Sequence, residues 1–251
     1  MLIGHEEKIK IFTRLIKEDR LNHAYLFFGP PGTGKTVFAK SLTFFLEYQT
    51  FKQREYPLID CLAVASNPET KNIGIDDIRN IKKFLSEKPL KSPKRSVIID
   101  SAENITWQAE PALLKIVEEP APNSLIIFIS KSPENLSPAL SSRLAKIYFP
   151  ALSKEQITDI LIKKHNLSEK KSALIASQSF GAIGRAELLL NPKSQEKNLE
   201  SLIEESIINL YLKDSIQNSK TLTSLLEKEE KIKRFNLNQK IQEKAINYIT
   251  S

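Results

Sequence analysis

One run constrains this chain more than any other. Gly29, Pro30, Pro31, Gly32, Thr33, Gly34, Lys35 and Thr36 read GPPGTGKT, a phosphate-binding loop that works only between a buried strand and a helix. The sequence supplies both, with the apolar run AYLFFG at 24–29 leading in and a helical pattern leading out. The glycines let the backbone curl so that its N–H groups face phosphate oxygens, and the helix N-terminus adds its dipole to the same anion. Lys35 is then expected on the β- and γ-phosphates and Thr36 on a magnesium ion.

The surrounding sequence predicts an α/β fold around that loop. SVIID at 96–100, SLIIFIS at 124–130 and AKIYFP at 145–150 are continuous apolar runs rather than alternating ones, as expected of parallel strands covered by helices on both faces. With a further strand in 56–66, this makes a parallel five-stranded sheet. Helical patterns fill the gaps, for example over 76–85, with Ile78, Ile81 and Leu85 on one face. After Pro150 the strand signals stop. Ser153 and Gln156 form a capping box, and three short helices are expected at about 153–165, 168–179 and 184–190, closed by Asn191-Pro192. The expected domains are therefore residues 1–150, 151–192 and 193–251: a phosphate-loop domain, a small helical lid and a short helical tail. In the tail Leu199, Leu202, Ile203, Ile207 and Leu210 form a stripe that needs a partner surface.

A chain of 251 residues buries enough surface to fold without disulfides or metals. Cys61 is the only cysteine, which excludes an internal disulfide and a cysteine-rich zinc site, so no zinc is expected and Cys61 reads as a small buried residue. The net charge of +7, four of it within residues 1–150, is spread along the chain and suits contact with phosphate-rich partners without specifying them. No apolar run is long enough to cross a bilayer and the first residues lack a signal peptide's apolar core. The expectation is a cytoplasmic protein without a membrane partner.

A phosphate loop also needs an acidic residue at the end of a neighbouring strand to hold the magnesium shell, and Asp100, closing SVIID, fills that place. The next position, where hydrolytic enzymes of this type carry a glutamate that polarises water, is Ser101. Nucleotide binding is therefore supported and hydrolysis at this site is not. Glu103 reads as a solvated loop residue.

From IGHEEKI near the start, through LNHAYLFFGPPGTGKT, IDDIRNIKKFL and SVIIDSAENIT, to ALLKIVEEPAP and LSSR, the chain resembles the clamp-loader branch of the AAA+ proteins. The likeness covers about residues 2–190 and is strongest to the bacterial delta-prime subunit, with the gamma/tau subunit and the small subunits of replication factor C as relatives. It implies an AAA+ fold and binding of ATP or ADP with Mg2+. It implies work in a hetero-oligomeric ring with other loader subunits, which places a sliding clamp on primer–template DNA during replication. Arg143, in Ser142-Arg143-Leu144, matches an arginine that reaches into the adjacent subunit's ATP site. Ser130 falls at the sensor-1 position, where a strand-end serine bonded to local backbone is the alternative. Arg185 falls at sensor 2 on the lid, and Ile3 with Gly4 at the adenine pocket. Lys88, Lys91, Lys94 and Arg95 could meet DNA phosphates, but a solvated loop is the better account of them.

The departures from the family pattern narrow this reading. The zinc cysteines of bacterial relatives are missing. Pro111 removes a donor early in the helix before ALLK, so a kinked or delayed start is expected. Leu144 replaces the motif's cysteine as a packing change, and 193–251 is short for the family's collar. The competing readings are an autonomous AAA+ ATPase and a nucleotide-binding scaffold without catalysis.

Overall fold

The computed structural model describes residues 4–51, 58–67 and 70–190. Ile3 and the tail at 193–251 therefore lie outside the described residues. The chain runs α1 (Glu6–Lys17), β1 (Ala24–Phe28), α2 (Lys35–Tyr48), β2 (Cys61–Val64), α3 (Ile75–Ser86), β3 (Arg95–Ile99), α4 (Glu110–Glu118), β4 (Ser124–Ser130), α5 (Pro138–Ser141), β5 (Ala145–Tyr148), α6 (Lys154–His165), α7 (Glu169–Gln178) and α8 (Ile183–Leu190).

The five strands pair in the order β2-β3-β4-β1-β5, all in parallel, as the continuous apolar runs predict. Successive side chains of a strand leave on opposite faces, so each central strand feeds two cores. Leu26, Ile99, Ile126 and Phe128 pack with α3 and α4 residues such as Ile78, Ile81 and Leu113. Their neighbours Phe27, Ile98 and Ile127 pack with Phe12 of α1 and Phe38 and Leu42 of α2. Burying such a side chain contributes roughly 1.5–3 kcal/mol, which makes this two-faced sheet the rigid base of the site. Leu144 sits in the first core, in keeping with a packing role.

Pro111 occupies the first turn of α4, where a missing N–H costs nothing, so the helix already starts at Glu110 and is not delayed. Cys61 is half-buried rather than fully buried. Desolvation pushes its thiol up to about 11, which leaves it unreactive near neutrality.

Three helices follow β5 around a separate apolar cluster of Leu152, Ile157, Ile160, Leu161, Ile175, Ala176 and Ala186. The capping box forms as read from the sequence: Gln156 N donates to Ser153 Oγ at 3.2 Å and Ser153 N to Gln156 Oε1 at 2.9 Å. At the far end of the sheet, Asp60 accepts the N–H groups of Leu90, Lys91 and Ser92 and faces Arg95 at 3.6 Å. Arg95 is only 6% exposed, so it braces this loop and is not available to DNA. Among the described residues no helix is long and apolar enough to cross a membrane.

Candidate functional site

The carboxyl ends of β1, β3 and β4 open into a cavity of about 650 Å³, beside the strand where neighbours on either side come from different parts of the chain. Open parallel sheets bind ligands at such a point. The loop after β1 forms its floor. Gly34 caps α2 with φ 90°, a left-handed conformation that glycine adopts without strain. The turn is tied by Thr33 Oγ1, which donates to Pro30 O at 2.9 Å.

Lys35 is 7% exposed and folds back on the loop, its Nζ donating to Gly29 O and Pro30 O, both at 2.7 Å. Desolvation lowers its pKa, against the opposing pull of Asp100 and Glu103. An anion entering the cavity gives this ammonium a partner in place of neutral carbonyls. Thr36 Oγ1 donates to Asp100 Oδ2 at 2.9 Å, which joins the two groups expected at a magnesium ion. This set of donors fits a magnesium-bound nucleoside polyphosphate: free N–H groups and one lysine for phosphate, one hydroxyl and one carboxylate for the cation shell.

Gly29, Pro30, Pro31, Gly32, Thr33, Gly34, Lys35 and Thr36 form one continuous loop, and from Pro31 onward every one of them lines the cavity together with Asp100. Ser130 also lines it, and its Oγ donates to Ser132 O at 3.1 Å, the local backbone bond of the alternative reading. Ser101 follows Asp100 in a left-handed conformation with φ 54°. Glu103 departs from the sequence reading: it is half-buried on the cavity wall, and its Oε2 is buried without a hydrogen-bond partner among the described residues. The short 3-10 turn Ala102–Asn104 turns it inward, and a linear reading cannot place that turn.

Gly4 packs against Leu152 and Gln156, next to His5, which lines the cavity. His5 Nε2 donates to Thr33 O at 2.8 Å, binding the N-terminal segment to the phosphate loop. Leu152, Ile160 and Ile183 complete an apolar side of the cavity suited to a base.

Arg185 is not among the cavity residues. Its guanidinium lies 5.2 Å over the Phe180 ring, and the residue that meets the phosphate loop is Gly184, whose N–H donates to Gly32 O at 3.0 Å. One residue along a helix is a turn of about 100°, which is enough to carry Arg185 away. Lys163 and Lys164 of α6 and Glu187 of α8 line the cavity instead. Neither lysine stands out in the sequence, because two lysines in a helix's last turn are ordinary partners of its dipole.

Arg143 also lies outside the cavity, in the turn between α5 and β5. Its Nε donates to Glu118 Oε1 at 2.7 Å and its Nη1 to Ala139 O at 2.6 Å.

A model of the family described as DNA polymerase III, delta subunit, matches residues 4–153. The gamma/tau subunit of DNA polymerase III from Mycoplasma genitalium is 29% identical over 80% of this chain and 36% of its own length. The delta' subunit from Bacillus subtilis is 28% identical over 81% of this chain and 63% of its own. Human replication factor C subunit 5 is 33% identical over 74% and 54%. The chain thus spans between about a third and just under two thirds of these relatives. Among solved structures, a gamma subunit-related protein from Thermotoga maritima superposes with TM-score 0.62 at 21% identity, over 95% of this chain and 98% of that one. The RuvB Holliday junction branch migration motor of the same organism gives 0.55 at 16%, over 90% and 69%. Both share the AAA+ fold.

Proposed function

The chain belongs to the DNA polymerase III, delta subunit, family and is a clamp-loader-type AAA+ subunit like delta-prime, and we propose that it binds ATP with Mg2+ and offers Arg143 to a neighbouring subunit. In this reading it sits in a hetero-oligomeric ring that loads a sliding clamp onto primed DNA.

One observation carries the proposal. The groups that would act on phosphate divide between two places: Lys35, Thr36 and Asp100 gather in the cavity, whereas Arg143 stands outside it with its side chain 39% exposed. A guanidinium placed there serves no phosphate bound by its own chain, and it is well suited to stabilise charge on a phosphoryl group held by another. Bound Mg2+ would supply neutralisation of phosphate charge. The chain's own part is to fix the phosphates with loop N–H groups and Lys35, and to hold the cation shell with Thr36 and Asp100.

A second reading, an autonomous ATPase, is favoured by Glu103, which lines the same cavity as Lys35 and has a buried carboxylate oxygen without a hydrogen-bond partner among the described residues. Both are tested by measuring DNA-stimulated ATP turnover of the loader assembled from one organism, with wild type or Arg143→Ala, beside the isolated chain. A large loss in the assembly and little turnover alone supports the first reading. Robust turnover by the isolated chain that is indifferent to Arg143 supports the second and overturns the first.

A further inference from the structure

Gly184 meets the phosphate loop so closely that an added Cβ would lie 3.3 Å from Gly32 Cα. The first turn of α8 therefore brings a backbone, and no charged side chain, to the place where the lid touches the loop. Arg185, the lid's arginine nearest in sequence, is engaged with the Phe180 ring. The lid's cations at the cavity are Lys163 and Lys164, on α6. They differ in one respect. Lys164 is paired with Glu187, which lines the same wall. The Lys163 side chain makes no hydrogen bond or ion pair among the described residues, although it lines a cavity that the phosphate loop also lines.

We propose that Lys163 is the residue through which the lid contacts the phosphates of the bound nucleotide, in place of Arg185, and that Glu187 holds Lys164 in reserve by neutralising it. The inference rests on the nucleotide-binding reading above. Ile160 lies one turn before Lys163 on the same face of α6 and also lines the cavity. One helix thus offers an apolar contact for the base and a cation for the phosphate tail. A lysine is a mobile point charge on a flexible stem, so it can follow a phosphate without the fixed geometry that a guanidinium requires.

The test is equilibrium binding of a fluorescent ATP analogue to the full chain, with unlabelled ADP as competitor, which reads affinity and needs no turnover. Lys163→Ala is expected to weaken ATP by about threefold to tenfold, more than it weakens ADP, with a smaller effect at high salt. Lys163→Arg keeps the charge and should restore most of the loss. Arg185→Ala is expected to stay within about twofold of wild type. Glu187→Gln, which frees Lys164, should bind ATP more tightly than wild type. The inference is overturned if Lys163→Ala binds as wild type does, or if Arg185→Ala carries the loss. Failure of the underlying reading looks different: wild type then binds no ATP, or binds it no better than Lys35→Ala.

Discussion

Arg143 is clasped by Glu118, with Nε 2.7 Å and Nη2 2.5 Å from the same carboxylate oxygen. The two residues come from the motifs ALLKIVEEP and LSSR, and the fold brings them together across 25 positions. Glu118 ends α4 and Arg143 follows α5, so the pair ties two helix ends together.

This pair is expected to matter little to the fold. The side chains are 39% and 45% exposed, and exposed ion pairs contribute about 0–1 kcal/mol. Urea denaturation of Arg143→Ala and Glu118→Gln should give stabilities within about 1 kcal/mol of wild type. A loss of roughly 3 kcal/mol or more would show the pair to be a structural clamp, and would remove Arg143→Ala as a clean test of action between subunits.

Much of this was legible in the sequence, for identifiable reasons. Parallel strands buried on both faces leave continuous apolar runs, and the phosphate loop has a fixed spacing, so the sheet, the loop and Asp100 could be read directly. The capping box at Ser153 is equally local. What escaped was side-chain direction. Arg185 and Gly184 differ by one helical step, and only the packing of Gly184 on Gly32 decides which faces the cavity. Glu103 escaped because a single 3-10 turn sets its direction. Arg95 looked like a free cation because its partner Asp60 lies 35 positions earlier in the chain.

Asp60 should be among the most sensitive positions outside the cavity. It is 1% exposed. Burial alone would raise its pKa, but the N–H groups of Leu90, Ser92 and Lys91, together with Arg95, lower it below the usual carboxylate value. Asp60→Asn leaves Arg95 facing a neutral group and disturbs three backbone bonds, at an expected cost of about 3–5 kcal/mol. Because the folded pKa is depressed, the ionised carboxylate contributes its full stability above the unfolded value of 3.8. That contribution is lost as pH falls through the folded pKa. Denaturation from pH 7 down to 2 should show a steeper acid limb in wild type than in Asp60→Asn, and identical acid limbs would remove Asp60 from this role.

His5 predicts a second pH dependence, in a different window. It is 3% exposed, and desolvation, outweighing the bond to Thr33, lowers its pKa from 6.5. Between its folded pKa and 6.5 the unfolded chain holds more protons, so stability rises with pH there. The contribution is complete above 6.5 and declines as pH drops below it. His5→Gln keeps a donor for Thr33 O without the titration, so its stability should be flatter between pH 5 and 7. Because His5 fastens the N-terminal segment to the phosphate loop, wild-type nucleotide affinity should weaken over the same interval. A wild type and a His5→Gln variant with parallel profiles would show that this imidazole does not titrate there.

Glu103 offers the sharpest choice between the two functional readings. Its carboxylate opposes the desolvation that lowers the Lys35 pKa, second only to Asp100 among the carboxylates, while Oε2 lacks a partner among the described residues. A negative charge beside a phosphate site opposes the binding of an anion, and the opposition is large because both groups are shielded from water. Glu103→Gln preserves shape and removes the charge. If the site only holds nucleotide, affinity for magnesium-bound ATP should rise by roughly threefold to tenfold, with turnover in the assembled loader unchanged. If Glu103 instead accepts the proton of an attacking water, affinity stays near wild type and turnover at this site falls by about 100-fold or more. Titration of nucleotide binding and turnover on the same preparation separates the two: a gain in affinity marks a retaining subunit, and a selective loss of turnover marks an ATPase in its own right.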